Sequence, residues 1–231
     1  MPADTAEAAR STRFSSRLMT LPGVYAPQHD TRLLAAALDR EEIHAGAEVL
    51  DLGTGSGALA LHAAQLGARV TAVDIAWRSV MTARLNALLR HHRITVQRSD
   101  LLSALPGRSY DLVICNPPYV PSPVGPPSGH SAARAWDAGL DGRAVLDRVC
   151  ATAPAALRPG GRILMVHSGL CDSAVTVRRL EDAGLRAHVS VRAHVPLGPV
   201  LRSRLRWLRR AGLMGDRDTT EELVVIRAEQ P

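Results

Sequence analysis

The chain has 231 residues, ordinary apolar content and only seven aromatic side chains, so its length suits one domain whose core is built from Ala, Val and Leu. No run of about 18 apolar residues exists to span a membrane, and the polar stretch Met1 to Arg13 lacks the apolar segment of a secretion signal. The net charge is +6 with every basic residue an arginine, which rules out lysine Schiff-base chemistry; Cys115, Cys150 and Cys171 are scattered, which argues against a disulfide framework or a zinc site and for a reduced, cytoplasmic setting.

Residues 1–18 are expected to form a flexible segment and 19–231 a single domain. A Pro/Gly-rich stretch, Leu21 to Thr31, leads into a helix over Thr31 to Leu38, with Leu33, Leu34 and Leu38 on one face and Asp30 placed to cap it. Glu48 to Leu52 reads as a short buried strand. Gly53, Gly55 and Gly57 follow at alternate positions, and Ala58 to Ala64 reads as a helix. Strand, glycine turn and helix make a nucleotide-binding element, because glycines let a ligand approach the bare backbone and a helix N-terminus offers unpaired N–H groups. Gly53, Gly55 and Ala58 also satisfy the dinucleotide pattern G-x-G-x-x-A, so a nicotinamide oxidoreductase is the reading from another class. Asp51 weighs against it, since a carboxylate is awkward beside a pyrophosphate and suits a cationic ligand such as S-adenosylmethionine. The form D-x-G-x-G-x-G resembles the glycine motif of class I methyltransferases.

Ala68 to Asp74 is a second strand, and Asp74 stands where a strand-end carboxylate can accept two ribose hydroxyls. Trp77 to Arg90 is a long helix and Ile94 to Gln97 a third strand. Asp100 after it either accepts from an adenine amino group or caps a helix. Tyr110 to Cys115 is a fourth strand that runs into Asn116-Pro117-Pro118-Tyr119. The two prolines remove N–H donors and stiffen the turn, leaving the Asn116 side-chain oxygen and the Pro117 carbonyl as fixed acceptors. Two fixed acceptors match the two donors of a planar NH₂ group, and the Tyr119 ring can stack on it. Val120 to Ala133 reads as a loop of the length used for lids. Trp136 to Arg143 leads into a helix to about Ala156, with a turn at Arg158 to Gly161. Arg162 to His167 is the fifth strand, Asp172 to Ala183 a helix, and Leu185 to Val191 the sixth strand. Val200 to Ala211 is an amphipathic basic helix that reads as a solvated face, with RNA or ribosome contact as the alternative. Glu222 to Arg227 is the last strand.

This alternation gives an α/β, Rossmann-like sheet of seven strands, mostly parallel with an antiparallel last strand and helices on both faces. Taken together, Val24-Tyr25 to Asp30-Thr31, Asp51 to Gly57, Asp74, Asn116 to Tyr119 and Trp136 to Arg143 resemble, in that order, the HemK family of protein glutamine N5-methyltransferases that act on release factors. The resemblance covers roughly residues 20 to 228 and looks most like the short form, without a separate N-terminal substrate domain. It implies S-adenosylmethionine as cofactor, a release factor as protein substrate, and a small zinc-binding activator subunit as partner, with no metal in the chain itself. It places the cofactor against Tyr25, Thr31, Asp51, Gly53, Thr54, Gly55, Gly57, Asp74, Ile75, Asp100, Leu101 and Asn116. It places the acceptor against Asp30, Asn116, Tyr119 and Trp136, and catalysis on Asn116, Pro117, Pro118 and Tyr119. The same Asn-Pro-Pro-Tyr pattern occurs in adenine N6-methyltransferases of DNA or RNA, which with small-molecule N-methyltransferases are the alternatives.

Overall fold

A computed structural model of the chain describes residues 14, 18–103, 105, 107–124 and 132–231. Most of the expected flexible segment 1–18, and residues 125–131 of the expected loop, lie outside them. The described elements are α1 (His29–Leu38), β1 (Glu48–Leu52), α2 (Ala58–Gln65), β2 (Arg69–Asp74), α3 (Trp77–Leu89), β3 (Ile94–Arg98), β4 (Tyr110–Cys115), α4 (Ala144–Thr152), β5 (Leu157–Ser168), α5 (Ser173–Asp182), β6 (Arg186–Pro196), α6 (Pro199–Arg210) and β7 (Thr220–Glu229). The strands form one seven-stranded sheet in the order β3-β2-β1-β4-β5-β7-β6. β3, β2, β1, β4 and β5 are parallel, and β7 runs antiparallel to both β5 and β6.

The central strands read as unbroken apolar runs because they are covered on both faces. Val49, Leu50, Leu52, Leu112, Val113 and Ile114 are all buried. α1 packs on β5, β6 and β7, and α5 on β6 and β7; α1 adjoins α2, and α4 adjoins α5. Among the described residues no helix is long and apolar enough to cross a membrane.

The strand order reverses between β1 and β4. The loops leaving their carboxyl ends therefore diverge and open a crevice, the usual ligand position in such sheets. The loop after β1 is the glycine turn, and the loop after β4 is Asn116 to Tyr119.

Several boundaries differ from expectation for local reasons. Pro154 ends α4 at Thr152, and a 3₁₀ turn over Ala153–Ala156 replaces its last turn. The turn expected at Arg158 to Gly161 lies inside β5 as an irregularity, where the register jumps from Tyr110↔Leu157 to Leu112↔Arg162. β6 extends to Pro196, because its alternation of exposed and covered residues continues through Val195.

Candidate active site

Asp51 lies near the end of β1, just before Leu52, and its carboxyl is bonded mostly within the motif itself. Its Oδ2 accepts from Thr54 Oγ1 at 2.6 Å and from the Ala60 backbone N–H at 3.1 Å. It thus braces the turn and caps α2, so one of the helix N–H groups expected to face a ligand is already taken. Its Oδ1 is buried with no partner. An orphaned carboxylate oxygen beside a glycine turn fits a cationic group such as the ammonium of S-adenosylmethionine.

The three glycines have different duties. Gly53 and Gly55 have φ of 72° and 55° with no neighbour closer than 3.9 Å to a Cβ placed there, leaving the open cradle a ligand needs. Gly57 instead lets α3 approach, since a Cβ there would lie 3.0 Å from Ala83 Cβ.

Burial pushes the Asp51 carboxyl from 3.8 up to about 7. In the free protein, stability that is intact below pH about 4 is therefore lost as pH rises toward 7. A cationic ligand at Oδ1 requires the carboxylate, so its binding releases a proton below that pH. Cofactor affinity is expected to rise with pH between about 5 and 7, approaching tenfold per unit, and Asp51→Asn to flatten the slope. Calorimetry across that range measures both.

Asp74 ends β2 and reaches across to the glycine turn. Its Oδ2 accepts from Gly55 N–H at 3.0 Å and its Oδ1 from Ala76 N–H at 2.8 Å. A carboxylate oxygen can accept more than one hydrogen bond, and Asp74 stands at the carboxyl end of β2 beside the glycine turn. Asp74→Ala is expected to weaken cofactor binding by about 1.5–3 kcal/mol, as measured by calorimetry. Ile75 beside it is exposed and apolar. Leu101 has φ of 51° in the turn over 101–103, so no helix follows Asp100 and the capping alternative does not apply. The Asp100 carboxylate lies on the surface, paired with Arg148 at 2.8 Å.

The start of α1 meets the loop after β4. Asp30 is buried, and its Oδ2 accepts from the hydroxyls of Tyr25 (2.8 Å) and Tyr119 (3.0 Å). Its Oδ1 accepts from the backbone N–H (2.6 Å) and hydroxyl (3.1 Å) of Thr31. Burial, with the Asp30 charge added, drives both phenols well above their ordinary value, so they stay donors. All four acceptor positions of Asp30 are thus filled from within the chain. The cap expected of Asp30 lies elsewhere: α1 starts after Gln28.

The Thr31 hydroxyl spends its proton on Asp30, so toward Asn116 it can only accept. Asn116 Nδ2 donates to it at 3.3 Å. This orients the amide: Nδ2 faces Thr31, so Oδ1 is turned away from it and keeps its acceptor capacity. The Tyr25 carbonyl lies over Gly55, bringing the segment before α1 across the glycine turn.

The loop is held from behind by residues 136–142. Val120 N–H donates to the Trp136 carbonyl at 2.8 Å, and Ser122 N–H to the Gly139 carbonyl at 2.8 Å. Trp136 is half-buried against the core. Cys171 Sγ donates to the Tyr119 carbonyl at 3.1 Å. Buried Arg143 ties this region together by bonding the Cys171 and Asp172 carbonyls, Thr176 Oγ1 and the Asp147 carboxylate. Arg204 of α6 bonds the Pro121 carbonyl at 2.9 Å and pairs with Asp137 at 2.6 Å, which sets the basic helix against the loop. Arg202, Arg206 and Arg210 on that helix are exposed.

Sequence reading missed Glu221. It is buried, takes a hydrogen bond from the Ser168 hydroxyl, and is pushed up to about 7 by burial, with the Asp30 charge adding to the rise.

A family model described as the methyltransferase small domain matches residues 15–124. A putative protein N5-glutamine methyltransferase of Methanocaldococcus jannaschii is 32% identical over 181 residues, covering 78% of this chain and 90% of that one. The release factor glutamine methyltransferase of Bordetella pertussis is 39% identical over 179 residues, covering 71% of this chain; the chain spans 64% of that relative's length. Among solved structures, the E. cuniculi Mtq2-Trm112 complex, responsible for methylation of the eRF1 translation termination factor, aligns with a TM-score of 0.62 at 24% identity, over 90% of this chain and 99% of that one. Its likeness is one of fold. With the glycine turn, strand-end acids and acceptor loop all in place, the chain belongs to the HemK family of S-adenosylmethionine-dependent protein N5-glutamine methyltransferases.

Proposed function

We propose that this protein transfers a methyl group to the side-chain amide nitrogen, N5, of a glutamine in a class I release factor, in its Gly-Gly-Gln loop. The observation that carries the reading is the oriented Asn116 amide: Thr31 fixes Nδ2, which leaves Oδ1 and the Pro117 carbonyl as paired acceptors for an NH₂ group. S-adenosylmethionine, when bound, supplies an electrophilic methyl on its sulfonium. The chain's own part is to hold the amide so that its nitrogen lone pair faces that methyl, the kind of positioning that supplies about 7–11 kcal/mol of a barrier. The bond to sulfur breaks as the bond to nitrogen forms. The proton is lost from nitrogen to solvent, and both acceptors strengthen as the nitrogen gains positive charge. Asp51, Asp74 and the Gly53–Gly55 cradle are the residues that fit the cofactor.

The names of the archaeal and bacterial relatives support the protein-glutamine substrate. A small partner subunit would dock on α3, where Trp77, Met81 and Leu88 form an exposed apolar stripe beside β3, one of the two edge strands of the sheet. Methyl-labelled S-adenosylmethionine with a release factor should label the protein, and changing its loop Gln to Glu should abolish labelling. Equal labelling of both factors, or label passing to RNA instead, would refute the reading.

A further inference from the structure

Glu221 is out of place for a structural residue. It lies near the start of β7, opposite Val195 of β6, and shares its face of the strand with Leu223 and Val225, both buried. A third apolar residue would complete that series. Instead a carboxyl is buried there with Oε2 bonded to nothing, an arrangement that destabilises a fold and calls for another explanation. The next residue, Glu222, points to the other face and pairs with Arg192 at 2.8 Å.

The groups facing Glu221 are those of the acceptor site. Asp30 of α1, Tyr25 before it, Tyr119 of the loop after β4, Ser168 at the end of β5 and Cys171 in the 3₁₀ turn after it all interact with its carboxyl. No cation is among them. We propose that Glu221 is a positioning residue for methyl transfer, acting through Asp30 and Tyr119 to set the negative potential behind the acceptor nitrogen. The inference rests on the protein-glutamine reading above.

The physical argument follows the charge. Transfer carries a positive charge from sulfur to the acceptor nitrogen, toward the Asp30–Tyr119 cluster. A second carboxylate behind that cluster favours the transition state over the ground state. Protonated, Glu221 contributes nothing of this kind. The carboxyl titrates near pH 7, so the gain appears as pH rises through that value. At the screened distances of a buried cluster the effect should be about three- to tenfold in kcat.

The test uses the full chain with Glu221→Gln, which keeps the size of the side chain and its hydrogen bond to Ser168. Wild-type kcat on a release factor should rise about three- to tenfold between pH 6 and 8. The variant should be flat at the wild-type acid level, with KM and melting temperature little changed, and Glu221→Asp should restore the inflection. A variant profile that keeps its inflection overturns the proposal. So does a variant that loses only melting temperature. A second readout needs no acceptor: the Tyr119 ring resonances should titrate near pH 7 in wild type and not in Glu221→Gln. If release factor is not methylated yet Tyr119 titrates through Glu221, the substrate reading fails and the coupling stands. If Tyr119 is indifferent to the substitution, the coupling itself is refuted.

Discussion

Replacing Asn116 with alanine is expected to leave cofactor affinity near wild type and to lower turnover by about a hundredfold or more, the scale seen when one preorganised hydrogen-bonding group is removed from a developing charge. The expectation follows from the hydrogen-bond chain behind the residue. Thr31 Oγ1 donates to Asp30 and accepts from Asn116, so the amide has one orientation. Alanine removes the Oδ1 acceptor and leaves the Pro117 carbonyl alone with the second N–H unpaired. Asp51, Asp74 and the glycine turn are untouched. Asn116→Asp separates shape from chemistry: it keeps an acceptor but loses the donor to Thr31, and should fall between wild type and alanine. Single-turnover rates with calorimetric Kd values measure this. Unchanged turnover in Asn116→Ala would remove the residue from the mechanism.

Gly142→Ala should have the largest effect on stability. Its φ of 74° lies in the left-handed region, which costs an alanine about 1–2 kcal/mol. The added Cβ would run into the Tyr119 carbonyl oxygen and lie 2.8 Å from Cys171 Sγ. Overpacking of that kind costs about 1–3 kcal/mol more. A loss of about 2–5 kcal/mol in urea unfolding is therefore expected. Because the obstructed atom belongs to the acceptor loop, activity should fall even where the variant is folded. Gly139→Ala is the control: φ is 83°, but the nearest atom is Ala144 Cβ at 3.7 Å, so only the backbone term applies. Equal losses in the two variants would show that the Tyr119 contact does not matter.

What could be read from the sequence was what local chemistry determines. Apolar runs ending at Leu52, Asp74 and Cys115 gave the strands, and the glycines and prolines after the first and last of these located both loops of the crevice. What could not be read depends on partners far along the chain. Asp100 reads equally as a helix cap, but the chain turns after it, and its carboxylate pairs with the distant Arg148. Asp30 looked like a cap and is instead the acceptor for two tyrosines and Thr31. Glu221 sits in Thr219-Thr220-Glu221-Glu222, a polar run that reads as solvent-facing, and only the pairing of β7 with β6 turns it inward. Asp51 was assigned to the ligand because its position is unusual, whereas one oxygen caps α2 and the other is free.

The most direct test of the account is a crystal structure of the protein with S-adenosylhomocysteine and a peptide containing the Gly-Gly-Gln loop. The account predicts the glutamine NH₂ within about 3 Å of both Asn116 Oδ1 and the Pro117 carbonyl oxygen, with Asn116 Nδ2 still on Thr31. A glutamine seated elsewhere, or an Asn116 amide turned with Nδ2 toward the peptide, would contradict it.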